Sequence, residues 1–252
     1  MSRLAWTFLI SAACAPGSAQ RVDAGPGPAA IDGGPVAPGG LAIQFSHEIQ
    51  GEPLALNSAA TLADGSPVTF STFRYWFSNL VLVGAAGVED YVVPDAYFLI
   101  EQTNQSTRVR LDLNDVPSGS YQGLRFSVGV DEAHNHSLDT LAGELDPGVG
   151  MSWNWNTGFI FLKAEGEVGL NSDGFEKNFV FHIGRDETYR TVELERSFEL
   201  TADQGAELRL RAELTQLFEG LTRENNLSIL GGPTAQTIAD NYGAMWTLEV
   251  GD

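Results

Sequence analysis

In AELRLRAEL (206–214) apolar and polar positions alternate without a break. Ala206, Leu208, Leu210, Ala212 and Leu214 fall on one face, and Glu207, Arg209, Arg211 and Glu213 on the other. Successive side chains of a strand point to opposite sides, so this period of two predicts a strand with one buried face. RVRLDL (108–113) repeats the pattern with Val109, Leu111 and Leu113, and LRFSVGV (124–130) with Leu124, Phe126, Val128 and Val130. LAIQFSH (41–47) aligns Leu41, Ile43 and Phe45, and strict alternation carries His47 into the same inward row. Further strands are predicted over 67–83, 96–100, 158–166, 178–183, 190–200 and 245–250, with turn sequences ADGS, VPSGS, DPGVG and NSDG between elements. Helix is scarce: TAQTIADNY (234–242), with Pro233 ahead of it, can form two turns, and TQLFEGL one. The pattern predicts an all-β fold, an antiparallel β-sandwich of Ig-like or jelly-roll-like type with one or two short helices.

The first 40 residues break this pattern. Arg3 precedes a mostly apolar run from Leu4 to Ala13 that is too short to span a bilayer and has the proportions of a secretory signal. Residues 1–13 are therefore expected to be a signal peptide. Cys14, the only cysteine, follows directly, and SAAC resembles the bacterial lipobox with Ser11 where leucine is usual. Cys14 is the expected lipidation site; cleavage near Ala19 by the ordinary signal peptidase is the alternative. Residues 14–40, rich in Ala, Gly and Pro, have too little apolar side chain to offset the entropy of ordering and read as a disordered tether. The folded domain is expected over 41–252, in the periplasm or cell envelope, meeting the membrane only through the lipid anchor.

Charge and cysteine usage narrow the function. Arg3 and Arg21 in the leader balance Asp23 and Asp32, so the domain keeps the whole formal charge of −19. Such a charge argues against nucleic acid and against adsorption on anionic lipid. With Cys14 in the leader the domain has no thiol and no disulfide, so any soft-metal site must use imidazole or thioether. No nucleophile elbow, phosphate loop, H-E-x-x-H or cysteine nucleophile is present, and a non-enzymatic protein is expected.

The densest candidate chemistry is GMSWNWNTGFIF (150–161), where Trp153 and Trp155 stand two apart beside Met151. Core packing, a sugar-stacking platform and part of a metal site are all open to it. The chain has four histidines, His47, His134, His136 and His182. His182 shares a strand face with Val180, opposite Phe179, Phe181 and Ile183. A lone strand histidine is more often a hydrogen-bonded packing residue than a ligand. His134 and His136 bracket Asn135 at a strand end, where both can reach one ion if the backbone bends. Imidazole suits copper, zinc and nickel, and a thioether from Met151 would favour Cu(I). Asp131, Glu132 and Asp139 can orient imidazoles as acceptors. Ligating imidazoles must be neutral, so affinity is expected to weaken below roughly pH 6.5.

The order of motifs resembles the MbnP-like family of bacterial periplasmic copper-binding proteins, associated with methanobactin gene clusters and metallo-mystery-pair systems. The likeness runs through FSHEIQGEPL, FSTFRYWFSNLVLV, DAYFLI, VPSGSYQGLRFSVGVDEAHN, LDPGVGMSWNWNTGFIFLKAEG, FHIG and IADNYGAMW, covering about residues 41–250. The resemblance implies copper, as Cu(I) or Cu(II), held through histidines. It also implies a tryptophan near the metal that is oxidised to kynurenine by a di-heme cytochrome c peroxidase partner. By motif, His47, His136 with His134 beside it, and His182 are the implied ligands. Trp153 or Trp155 is the implied site of oxidation, with Met151 adjacent. The cysteines of the four-cysteine subgroup are absent, so no disulfide is carried over. A monomer is expected. The alternative reading is an exported carbohydrate- or protein-binding sandwich that stacks ligand on Trp153 and Trp155.

Overall fold

The computed structural model describes residues 39–137, 142–153, 158–169, 176–222 and 227–251. The expected signal peptide, Cys14 and nearly all of the tether lie outside the described residues, as do Asp139 and Trp155. The alternating segments form two sheets. In the smaller, Leu41–Ile49 lies between Ala206–Glu213 and the short Glu52–Pro53, with Trp246–Val250 at the edge and Arg110–Leu113 also paired to the first strand. The larger runs Arg190–Leu200, Gly119–Val128, Pro67–Gly84, Leu162–Gly169, Glu176–Ile183, and Tyr97–Thr103 also pairs with the long central strand Pro67–Gly84.

The inward rows read from the sequence are the rows that pack. Leu41, Ile43, Phe45, Leu208, Leu210 and Ala212 from the small sheet share one core with Phe73, Tyr75, Phe77, Leu124 and Phe126 from the large one. Each large side chain buried there contributes about 1.5–3 kcal/mol. The helix Pro233–Ala244 starts with its proline in the first turn, where a missing N–H costs nothing, and buries Ala235, Ile238, Ala239 and Tyr242 at helical spacing.

Three features depart from the sequence reading. The first strand pairs with Ala206–Glu213 in parallel, Leu41 opposite Ala206 through Glu48 opposite Glu213, and Ser228–Ile229 also joins its neighbour in parallel. Every other pairing is antiparallel among the described residues. Alternation marks faces and carries no direction, so the sandwich is mixed where a purely antiparallel one was expected. The predicted strand 158–166 begins only at Leu162, and before it Ser152 and Phe159 make an isolated bridge. Where a strand end was expected to carry His134 and His136, a short helix, Glu132–Asn135, holds His134 and is capped by His136. Among the described residues no helix is long and apolar enough to cross a membrane.

Candidate metal centre

The central strand has two working faces. Its odd residues Phe73, Tyr75 and Phe77 enter the core between the sheets, while Trp76 enters a second apolar cluster on the outer face of the large sheet. That cluster holds Met151 and Trp153 together with Tyr97, Leu99, Phe159 and Phe161. It is roofed by residues 142–153 and 158–161. The roof's conformation follows from its turn residues. Asp146 caps a turn at Pro147–Val149 by accepting from Gly148 N at 2.7 Å, and Gly150 ends the turn at a φ of 74°. Arg74 ties the turn to the sheet, donating to Val149 O at 2.9 Å and to Glu101 at 2.8 Å. Ile160 N donates to Met151 O at 2.9 Å, and Trp153 N to Gly158 O at 3.1 Å.

This packing explains the glycine of FHIG. A Cβ on Gly184 would lie 2.3 Å from Phe159 O and 3.2 Å from Trp153 Nε1. Gly184→Ala is expected to cost about 2 kcal/mol through displaced backbone and to shift Trp153 fluorescence, checked by denaturant unfolding and emission spectra. Trp153 is only 7% exposed, which leaves it no free face for a sugar ring.

The histidines divide between the two faces. His47 lies in the core, edge-on to Phe73 and Tyr75 with ring centroids 4.8 and 5.7 Å away. Gln102 Nε2 donates to Leu54 O at 2.9 Å, so its Oε1 accepts from His47 Nδ1–H at 3.1 Å. His47 Nε2 then accepts from the Tyr75 hydroxyl at 3.2 Å. Burial, opposed only by the Gln102 bond, lowers the His47 pKa from 6.5 to about 4. Both nitrogens are engaged by neutral partners, and the backbone of the large sheet separates this ring from the outer cluster.

His134, His136 and His182 are on the outer side, each with one nitrogen on a carboxylate. His134 Nδ1 is 2.9 Å from Asp131 Oδ1, His136 Nε2 is 2.7 Å from Asp186, and His182 Nε2 is 2.6 Å from Glu165. His182 packs near Trp153, ring centroids 6.5 Å apart. His136, Asp186 and Trp153 line one cleft of about 230 Å³ with Asn135 and Arg185. Among the described residues, the second nitrogen of each of these three rings has no hydrogen-bond partner. Nor, among the described residues, does any group of three His, Cys, Asp or Glu side chains form a ready metal cage.

The carboxylates are held ionised by their donors. Burial pushes the Asp131 carboxyl up, but Tyr97, His134 and Asn79 outweigh it and hold it below the usual range. Burial likewise opposes, and His182 with Lys163 overcomes, for Glu165; Asn135 and His136 do the same for Asp186. In return the Asp186 bond and charge raise the pKa of the exposed His136, with Glu132 adding a smaller charge effect.

Sequence reasoning passed over Asn135, although it stands between the two histidines. It is buried; its Oδ1 accepts from Phe159 N and its Nδ2 donates to Asp186 Oδ1, each at 2.8 Å. One amide thus joins the HNH turn, the roof and the segment after FHIG. Asn79, Tyr97, Glu165 and Asp186 were also missed, because their roles depend on partners 17 to 110 residues away.

The MbnP family profile matches residues 38–238. A search of the curated proteins finds no match. Among solved structures, MbnP from Methylosinus trichosporium is similar with a TM-score of 0.55 and 15% identity, over 84% of this chain and 99% of that one. At that identity the likeness is one of fold.

Proposed function

The chain belongs to the MbnP family, and from that premise we propose that it is an exported copper-binding protein without catalytic activity of its own. The observation that carries the reading is the set of outer-face imidazoles, each oriented by a carboxylate through one nitrogen, with His182 packed near Trp153 and His136 sharing its cleft. Ligating histidines are characteristically backed in this way by a carboxylate on the second nitrogen. The donor set fits copper: imidazole suits it, and a thioether is acceptable to Cu(I). His136 and His182, which lie near Trp153, would hold the ion, with His134 a further candidate donor; copper would supply a redox-active centre next to the indole. Trp153, or Trp155 in the adjacent segment, is the proposed site of conversion to kynurenine by a di-heme cytochrome c peroxidase. Cys14 is the proposed lipid anchor in the cell envelope.

Intact-mass spectrometry and metal analysis of one preparation from the native cells test this reading. Stoichiometric copper, an acylated Cys14 and the mass gain of one oxidised tryptophan are the expected results. A copper-free protein with unmodified tryptophans would contradict it.

A further inference from the structure

The central strand is bulged where it meets the HNH turn. Its register against Gly119–Val128 shifts between Ser78 and Val81, and Asn79 takes a φ of 50°. Without the bulge Asn79 would continue the inward row of Phe73, Tyr75 and Phe77. Instead its amide reaches the outer side and donates to Asp131 Oδ2 at 3.1 Å and to the Tyr189 hydroxyl at 2.6 Å. Bulges often re-aim one side chain in this way beside a functional site. Tyr97 O–H is a second donor to Asp131 Oδ2. The carboxylate is thus fixed from two sides, and its remaining oxygen, Oδ1, meets His134 Nδ1 at 2.9 Å.

Those contacts determine where the ring proton sits. An ionised carboxylate only accepts, so His134 Nδ1 must carry the hydrogen, which the Tyr97 oxygen at 2.8 Å can share. The neutral ring then has its lone pair on Nε2, on a side chain that is 34% exposed.

We propose that Asp131 is a positioning residue, held by Asn79 and Tyr97, that fixes His134 in the Nδ1–H tautomer and thereby makes its Nε2 a copper donor. The copper half rests on the function proposed above; the tautomer half does not. His136 is an internal contrast, because its Nε2 is the nitrogen engaged by Asp186. The two histidines of HNH therefore present opposite ring nitrogens, His134 through Nε2 and His136 through Nδ1.

The test is long-range ¹H–¹⁵N spectroscopy of histidine rings in the full chain at mildly alkaline pH, without metal, followed by Cu(I) titration against a competing chelator. His134 is expected as Nδ1–H in the wild-type chain. In Asp131→Ala the Tyr97 hydroxyl is left to donate to Nδ1, and the tautomer is expected to switch to Nε2–H. Cu(I) affinity should fall about 10- to 100-fold in that variant, the usual effect of losing such a partner. Tyr97→Phe, which leaves the carboxylate in place, should keep the wild-type tautomer and shows whether the fold survives change at this cluster. A wild-type Nε2–H tautomer, or an Asp131→Ala spectrum unchanged at His134, would overturn the proposal. So would Cu(I) binding indifferent to both Asp131→Ala and His134→Ala, although copper binding by the chain would then stand. The predicted tautomers in a chain that binds no Cu(I) would instead remove the copper half together with the proposed function.

Discussion

Asn135→Ala is expected to lower stability by about 4 kcal/mol, a large share of what a domain of this size possesses. Two losses add. Phe159 N–H, buried beneath the roof, loses its 2.8 Å acceptor, and an unsatisfied buried donor costs about 1–3 kcal/mol. Asp186 loses the charge-assisted bond from Nδ2, worth about 1.5–3 kcal/mol. The change should also release the cleft wall, so His136 and Trp153 lose their fixed relation. Denaturant unfolding checks this through a lower midpoint at constant slope. Asn135→Asp is the control: it keeps an acceptor for Phe159 N–H but sets a second carboxylate against Asp186, so it should recover only part of the loss. A cost near the roughly 0.5 kcal/mol of an ordinary surface substitution would show that the three segments are held by other contacts.

The second large effect is acid destabilisation through His47. Its folded pKa is lowered from 6.5 to about 4, because burial disfavours the charged ring and, among the described residues, no carboxylate is a hydrogen-bond or ring partner. Above pH 6.5 the ring is neutral in both states and the contribution is constant. As the pH falls toward 4 the unfolded chain takes up a proton that the folded chain refuses, so stability declines. The loss over this window is about 3 kcal/mol, at up to 1.4 kcal/mol per pH unit. Asp131, Glu165 and Asp186, whose folded pKa values are depressed, lose their stabilisation as the pH falls from the ordinary carboxylate range through their lower folded values. His136, with its raised pKa, acts in the opposite sense and loses its small contribution as the pH rises. The interval from about 6.5 to 5 is thus chiefly His47's. Unfolding free energies of metal-free wild type and His47→Gln across that interval should differ in slope. Parallel curves would show that His47 is not buried as a neutral ring.

The sheets were legible because each strand needed only local alternation to reveal its inner face, as in 206–214 and 41–47. His47 followed from the same rule, and its burial is where strict alternation puts it. The direction of pairing was not legible, since Leu41 and Ala206 are neighbours only after most of the large sheet has been threaded between them. The roof was misread for a related reason. The strand predicted over 158–166 begins only at Leu162, because ahead of it Phe159 and Ile160 pair with Ser152 and Met151 in the roof. Of the candidate site, the histidines were visible by type, but their carboxylate and amide partners were not. Asp186 and Asn79 come from a turn and from a bulge, and neither leaves a periodic signal.

In the proposed function copper is held on the outer face of the large sheet and not by the buried imidazole of the core. Cu(I) stoichiometry measured in three proteins tests it most directly: wild type, His47→Gln, and a variant carrying His134→Ala, His136→Ala and His182→Ala. Wild type and His47→Gln should bind equally, and the outer-face variant should lose tight binding. Binding abolished by His47→Gln and retained without the three outer histidines would contradict it.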